Sequence, residues 1–245
     1  MKPLLIAMMG CLAAAAQTPP PILRLIRAPN ASGFPARYAN AGSNVEVLGM
    51  RAMTGLGETW LMEQHPTFAS IEDLDKALAP GTDADPSHWV DASPTAQDEV
   101  LGPSRTIVAF FRDGWGYRSD DAIRMLPRAR YFLVTVYRMR PDSDQDMESL
   151  MKQRHQRLDG LNANQPDLVY HVILGASSGL YLVLAPLVSL RAMDDRLARM
   201  PLEMEPRQTP SSVVGRESLL FRIDPGLSYV SDDFAAVDKP FWRGQ

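Results

Sequence analysis

Two stretches far apart in this chain carry nearly the same order of residues. Leu101-Gly102-Pro103-Ser104-Arg105 leads through an apolar run to Gly114-Trp115-Gly116-Tyr117-Arg118-Ser119-Asp120-Asp121. Val214-Gly215-Arg216-Glu217-Ser218 leads through another to Gly226-Leu227-Ser228-Tyr229-Val230-Ser231-Asp232-Asp233. Self-similarity at a fixed offset marks one structural unit used twice. It constrains architecture far more than chemistry.

The two copies match element by element. Residues 22–27 correspond to 133–138; both runs are apolar on each face and end on arginine, as a strand covered on both sides would be. Second strands are predicted at 47–53 and 168–174, and third strands at 59–63 and 180–184. Glycine- or serine-rich turns, 54–57 and 175–179, join each pair into a hairpin. A helix follows in each half, from Ser70 and from Ser189, with apolar residues at Ile71, Leu74, Leu78 and at Leu190, Met193, Leu197. Fourth strands are predicted at 106–111 and 218–223. Between the first two strands of the second half, 142–161 reads as a long helix. Met147, Leu150, Met151, Leu158 and Leu161 form its buried stripe, and Asp142, Asp144 and Asp146 suit its positive end.

The order in the second half is β-α-β-β-α-β, the ferredoxin-like arrangement. The first half has the same order with its first helix cut down to 33–44, which contains Pro35 and Gly42. The boundaries that follow are a leader at 1–16, one repeat at 20–121, a second at 129–233 and a tail at 234–245. Connections at 79–102 and 200–214, low in apolar residues, lead into the final strands, and 113–130 holds the junction. A single such unit covers one sheet face with helices and leaves the other bare, so two copies within one chain bury each other's sheets. The predicted fold is α+β, with two ferredoxin-like repeats packed sheet to sheet. This chain resembles the dimeric α/β-barrel superfamily fused into a single-chain pseudo-dimer, and is similar to secreted bacterial proteins of that type. The resemblance covers nearly all the chain after the leader and rests on element order, with no catalytic signature. It implies NIPSNAP-like proteins, cofactor-free monooxygenases, haem-degrading enzymes and ligand-binding modules as relatives, among which fold does not choose.

The first residues read as an export signal: Met1-Lys2 is the positive start, 3–16 the apolar stretch, and Ala14-Ala15-Ala16 a small-residue cleavage site before Gln17. A lipoprotein cut before Cys11 fits less well, because the usual residues upstream are missing. The expected location is periplasmic or secreted, with no membrane-spanning segment. Cys11 is the only cysteine, so cleavage after Ala16 leaves a protein without disulfides, thiolate metal sites or cysteine nucleophiles. The net charge of −4 offers no electrostatic footprint for nucleic acid.

Several motifs invite functional readings. Gly175-Ala176-Ser177-Ser178-Gly179 spells the serine-hydrolase elbow, but a strand-like run follows where that elbow needs a helix, so a hairpin turn is expected. Asp142-Ser143-Asp144-Gln145-Asp146 starts like a calcium loop, yet Met147 and Gln153 stand where glycine and glutamate are required. His65, His88, His155 and His171 show no metal-binding spacing. Asn30-Ala31-Ser32 fits a glycosylation sequon. Arg124, Arg128, Arg130, Arg138 and Arg140 cluster around the junction, where a solvated, acid-paired face is the usual meaning. Phe241-Trp242 should dock on the body or on a partner.

Strand alternation supplies a ligand-site hypothesis. Leu23 and Leu25 share one face with Val134 and Val136; the other face carries Arg24 in one copy and Thr135 and Tyr137 in the other. Parity does not say which face looks inward. Together with Arg51, Trp60, Tyr170 and His171 on neighbouring strands, these polar groups could line a small-molecule pocket. The leading expectation is a non-enzymatic exported module that binds a small, mostly apolar molecule in or beside the fused barrel, with no cofactor and no metal. The resemblance implies the alternative, a cofactor-free monooxygenase or haem-associated oxidoreductase using His171, Tyr137 or Arg24. A protein-interaction module built on the tail and connections is a third reading. The identity of the ligand and the oligomeric state are left open.

Overall fold

The computed structural model describes residues 19–29, 46–55, 57–65, 72, 106–191, 193, 194, 198 and 210–244. The expected leader, the shortened helix at 33–44, the sequon at Asn30 and His88 lie outside the described residues. So do most of the two post-hairpin helices and most of the connections at 79–102 and 200–214.

The fold is α+β. Among the described residues eight strands are formed: β1 (Ile22–Pro29), β2 (Glu46–Ala52), β3 (Glu58–His65), β4 (Thr106–Phe111), β5 (Tyr131–Met139), β6 (Leu168–Leu174), β7 (Leu180–Leu187) and β8 (Val213–Ile223). They follow the alternating and β-branched runs of the sequence, with β8 extending several residues ahead of its predicted start. The helices are α1 (Ser119–Met125), α2 (Asp144–Gly160), α3 (Asp232–Ala236) and α4 (Lys239–Arg243), with short 3-10 turns at Leu126–Arg128 and Pro225–Leu227. In α2 the predicted stripe is buried at Met147, Leu150, Met151 and Leu158, with Asp144 and Asp146 in its first turn.

All strand pairs are antiparallel, and the strands close a barrel in the order β1-β3-β2-β8-β5-β7-β6-β4. Exchanging β1–β4 for β5–β8 leaves this ring order unchanged. Two packed four-stranded sheets would each expose two edges. Instead the edges bond to one another, β2 to β8 and β4 to β6, so the barrel has no free strand. The inner wall belongs to Leu23, Leu25, Trp60, Phe132, Val134 and Phe221, all but shut off from solvent. A small eight-stranded barrel is filled by its own side chains in this way. Outside, α2 lays Met147, Leu150 and Met151 on Tyr137, Val169, Tyr181 and Val183.

The repeated motif acts at the seams. The Tyr229 backbone exchanges hydrogen bonds of 2.8 and 2.7 Å with Val47 at the start of β2. Tyr117 takes the corresponding place beside β6: its carbonyl accepts from Asp167 N at 2.9 Å, and its N–H donates to Asp167 Oδ1 at 3.0 Å. Each motif therefore ties the end of one half's last strand to the second strand of the other half. Close approach makes glycine necessary here, since a Cβ on Gly49 would lie 2.3 Å from the Leu227 carbonyl oxygen and one on Gly116 would lie 2.4 Å from that of Asp167. Past the second motif, α3 and α4 fold back on the body. Trp242 is buried and donates from Nε1 to the Pro127 carbonyl at 2.7 Å, so the apolar tail docks on its own chain. Because a methyl on Gly49 would press on the Leu227 backbone and Cβ rather than on the far end of a flexible side chain, Gly49→Ala should destabilise the protein by about 2 kcal/mol in urea unfolding, the scale of core overpacking. An unchanged midpoint would show that the seam yields.

Candidate functional site

The structure decides which strand face looks inward. Leu23, Leu25, Val134, Val136, Met50, Val172 and Leu182 belong to the barrel core, so their odd-numbered or even-numbered neighbours point out. Trp60 and Tyr170 are inside: Trp60 packs against Phe221 with ring centroids 4.3 Å apart, and the Tyr170 hydroxyl donates to the Pro20 carbonyl at 3.1 Å. Burial pushes the Tyr170 phenol well above its usual range, leaving it a neutral donor. Arg24, Arg51, Thr135, Tyr137 and His171 are outside. The seven residues therefore form no single pocket. Arg24 pairs with Glu63 at 3.3 Å, Thr135 meets the Ser218 hydroxyl at 3.1 Å, and Tyr137 packs under α2 with the Arg216 guanidinium 5.7 Å from its ring.

The interior does hold ions. Arg27 has no exposed surface and grips Glu58 with two bonds, Nε to Oε2 at 2.9 Å and Nη2 to Oε1 at 3.0 Å. Trp60 Nε1 donates to the same carboxylate at 2.9 Å. A bidentate pair of this kind offsets the cost of burying its two charges, and the indole adds a third bond to the carboxylate.

His171 joins a stack on the outer wall. Its ring lies on Tyr181 at 4.4 Å and 17°, Tyr181 faces Trp115 at 5.7 Å, and the Arg112 guanidinium lies 4.4 Å from the Trp115 ring. The Tyr181 hydroxyl donates to Asp144 in the first turn of α2. Burial, and then the bond to Asp144, raise the Tyr181 pKa far beyond its ordinary value. For His171, desolvation outweighs the opposing pull of Asp144, and Arg112 adds to it, so the imidazole sits below its usual 6.5 and is neutral near pH 7. His155 is placed differently, with Nε2 hydrogen-bonded to the Trp115 carbonyl at 2.9 Å.

A cleft of about 530 Å³ opens where β2, β8 and α4 meet, lined by Arg51, Arg222, Ile223, Asp224, Pro225, Pro240 and Phe241. Arg51 and Arg222 stand directly opposite each other across the β2–β8 seam. Asp224 accepts from Arg51 Nε at 2.9 Å and from Gly226 N at 3.0 Å. Phe241 is pinned from the side by the Arg130 guanidinium, 3.8 Å from the ring centroid, and Arg130 is held in turn by Asp238. Of the candidates read from sequence, only Arg51 reaches this cleft. Nothing local in the sequence marks Arg222 and Asp224, because their placement depends on β2 pairing with β8. The alternation Leu219-Phe221-Ile223 does place Arg222 outward.

Other motifs resolve plainly. Gly175–Gly179 is the β6–β7 hairpin, with φ of 83° and 79° at its two glycines, and a Cβ on Gly175 would meet the Thr106 carbonyl at 2.0 Å. The calcium-like aspartates begin α2. Among the described residues, no three metal-ligating side chains gather, and no helix is long and apolar enough to cross a membrane. From the basic cluster, Arg124 pairs with Asp121 and Arg130 with Asp238.

No family model matches the sequence, and the search of the curated proteins found no match. Among solved structures, an anthrone oxidase-like protein is 12% identical, with 83% of this chain and 90% of that one covered and a TM-score of 0.48. A chlorite dismutase mutant from Candidatus Nitrospira defluvii is 8% identical, with 93% and 98% covered and a TM-score of 0.49. A monooxygenase-like protein from Listeria innocua is 9% identical, with 83% and 94% covered and a TM-score of 0.38.

The His171 environment has a measurable consequence. A folded-state pKa below 6.5 means the native protein binds this proton less readily than the unfolded chain, so its contribution is intact above 6.5 and is lost as pH falls below that value. Urea unfolding should show wild type losing more stability than His171→Phe between about pH 7 and pH 5, with the phenyl ring keeping the stack on Tyr181. Equal losses would place the imidazole in a solvent-like setting.

Proposed function

We propose that this protein is a module that binds a small molecule against the outside of its barrel, in the cleft between β2, β8 and α4. The observation that carries this reading is the division of space: large side chains occupy the interior, while the cleft has the volume of a small-molecule site. The earlier expectation of a ligand in or beside the barrel thus narrows to the second position. The reading takes β1–β4 and β5–β8 as copies of one unit, supported by the ring order and by the matching roles of Tyr117 and Tyr229. On that view the cleft is a seam feature that the second copy alone elaborates, because only there does the tail follow. A crystal structure in which the two sets of strands do not superpose would remove the duplication from the reading. The binding reading is tested by a fragment screen followed by amide NMR. Hits should shift Arg222, Asp224, Gly226 and Phe241; hits confined to other surfaces, or no hits, would overturn it.

A second reading, oxidoreductase chemistry, is favoured by one observation: the half-buried, neutral His171 makes no hydrogen bond through either ring nitrogen among the described residues. Such an imidazole suits iron ligation or proton transfer. Titration with haem should then produce a Soret band that is lost in His171→Ala. A spectrum unaltered by the substitution would dismiss the haem version.

A further inference from the structure

We propose that the cleft selects an anion, and in particular a carboxylate carried on a flat apolar group. This deepens the small-molecule reading and rests on it. The seam contains a built-in conflict of charge. Arg51 and Arg222 are register partners on β2 and β8, on the same outward face, and like charges directly opposite one another destabilise a strand pair. The chain supplies one carboxylate to relieve them, Asp224, and both of its oxygens are engaged: Oδ2 accepts from Arg51 and Oδ1 from the Gly226 amide. Arg222 is exposed and has no hydrogen bond or ion pair among the described residues.

The remaining charges around the cleft do not neutralise it. Arg130 is matched by Asp238 and Arg51 by Asp224, which leaves one guanidinium over, in a protein whose net charge is −4. A cationic cleft on an acidic surface draws anions to itself and away from the rest of the molecule. A solvated arginine on an open strand would mean little. This one lines a cleft, across the strand pair from a second arginine, and Pro225, Pro240 and Phe241 line the same cleft. The planar fork of a guanidinium matches a carboxylate with two parallel bonds. The proline and phenyl surfaces suit a flat hydrocarbon body, and Arg130 fixes the phenyl ring by covering it from one side.

The test titrates the full chain with 2-naphthoate, with its neutral isostere 2-naphthamide and with inorganic phosphate, at low salt, following the amides of Arg222, Asp224, Gly226 and Phe241. Naphthoate is expected to bind about tenfold more tightly than naphthamide, as a charge-assisted contact would give. Arg222→Gln should reduce naphthoate to the naphthamide level with an unchanged circular dichroism spectrum. Asp224→Asn, which keeps an acceptor for Gly226 while freeing Arg51, should tighten naphthoate binding, a gain that misfolding would not produce. If naphthamide binds as well as naphthoate with the same amide shifts, the anion inference is overturned while the cleft reading stands. If phosphate binds as tightly as naphthoate, the apolar half of the inference is overturned. If neither naphthyl probe moves the cleft amides, the binding reading itself fails.

Discussion

Closure of the strand ring is the constraint on which everything else in this protein depends. Two four-stranded halves leave four unpaired edges, β2, β4, β6 and β8, unless the halves bond to each other, and unpaired edges in water invite association with other chains. Here β2 reaches β8 and β4 reaches β6. The contact at β2 is short, with only three residue pairs in register between Met50–Ala52 and Phe221–Ile223. It is therefore reinforced beyond the strands by the Val47–Tyr229 bridge, by Ser228, whose hydroxyl accepts from Gly49 N at 3.0 Å, and by Glu46, whose carboxylate accepts from the Ser231 amide and hydroxyl. The same Ser231 hydroxyl accepts from Phe234 N and so caps α3. Closing the barrel and starting the tail are thus one set of contacts.

Closure also sorts the chemistry. Once the ring is shut, each strand has an inside whose volume is taken by Leu, Val, Trp and Phe, and an outside shared between helices and solvent. Polar groups placed inside need hydrogen-bond partners, and Glu58 takes two bonds from Arg27 and one from the Trp60 indole. Groups with unused hydrogen-bonding or charge capacity, His171 and Arg222 above all, are on the outside. A site on this scaffold is consequently a site between the barrel wall and whatever packs on it. Over the second half α2 packs on the wall and frames the His171–Tyr181 stack. At the seam the packing element is the tail, and it frames the cleft.

Much of this was legible in the residues. The strands at 106–111 and 168–174 begin and end where the alternation and the flanking turns say they should, and the stripe of α2 is buried as its spacing requires. The serine-glycine run at 175–179 is a hairpin, because a strand follows it. The parity of Leu23, Leu25, Val134 and Val136 placed them on one face correctly, and set Arg24, Thr135 and Tyr137 on the other. The polar face could be read as the lining of a pocket only while the direction of curvature was unknown. Curvature is a property of the closed ring, and no window of sequence contains it.

The sequence by itself therefore determined the eight strands and α2, their order and the pairing of faces along each strand, since those follow from local periodicity and turn chemistry. Only the tertiary structure decided which face is inside, that Arg51 stands opposite Arg222, and that Phe241 closes a cleft beside them. Arg51 is more than a hundred positions from both Arg222 and Phe241. Those relations are set by strand stagger around a closed barrel, where a shift of one residue would exchange inside for outside along a whole strand.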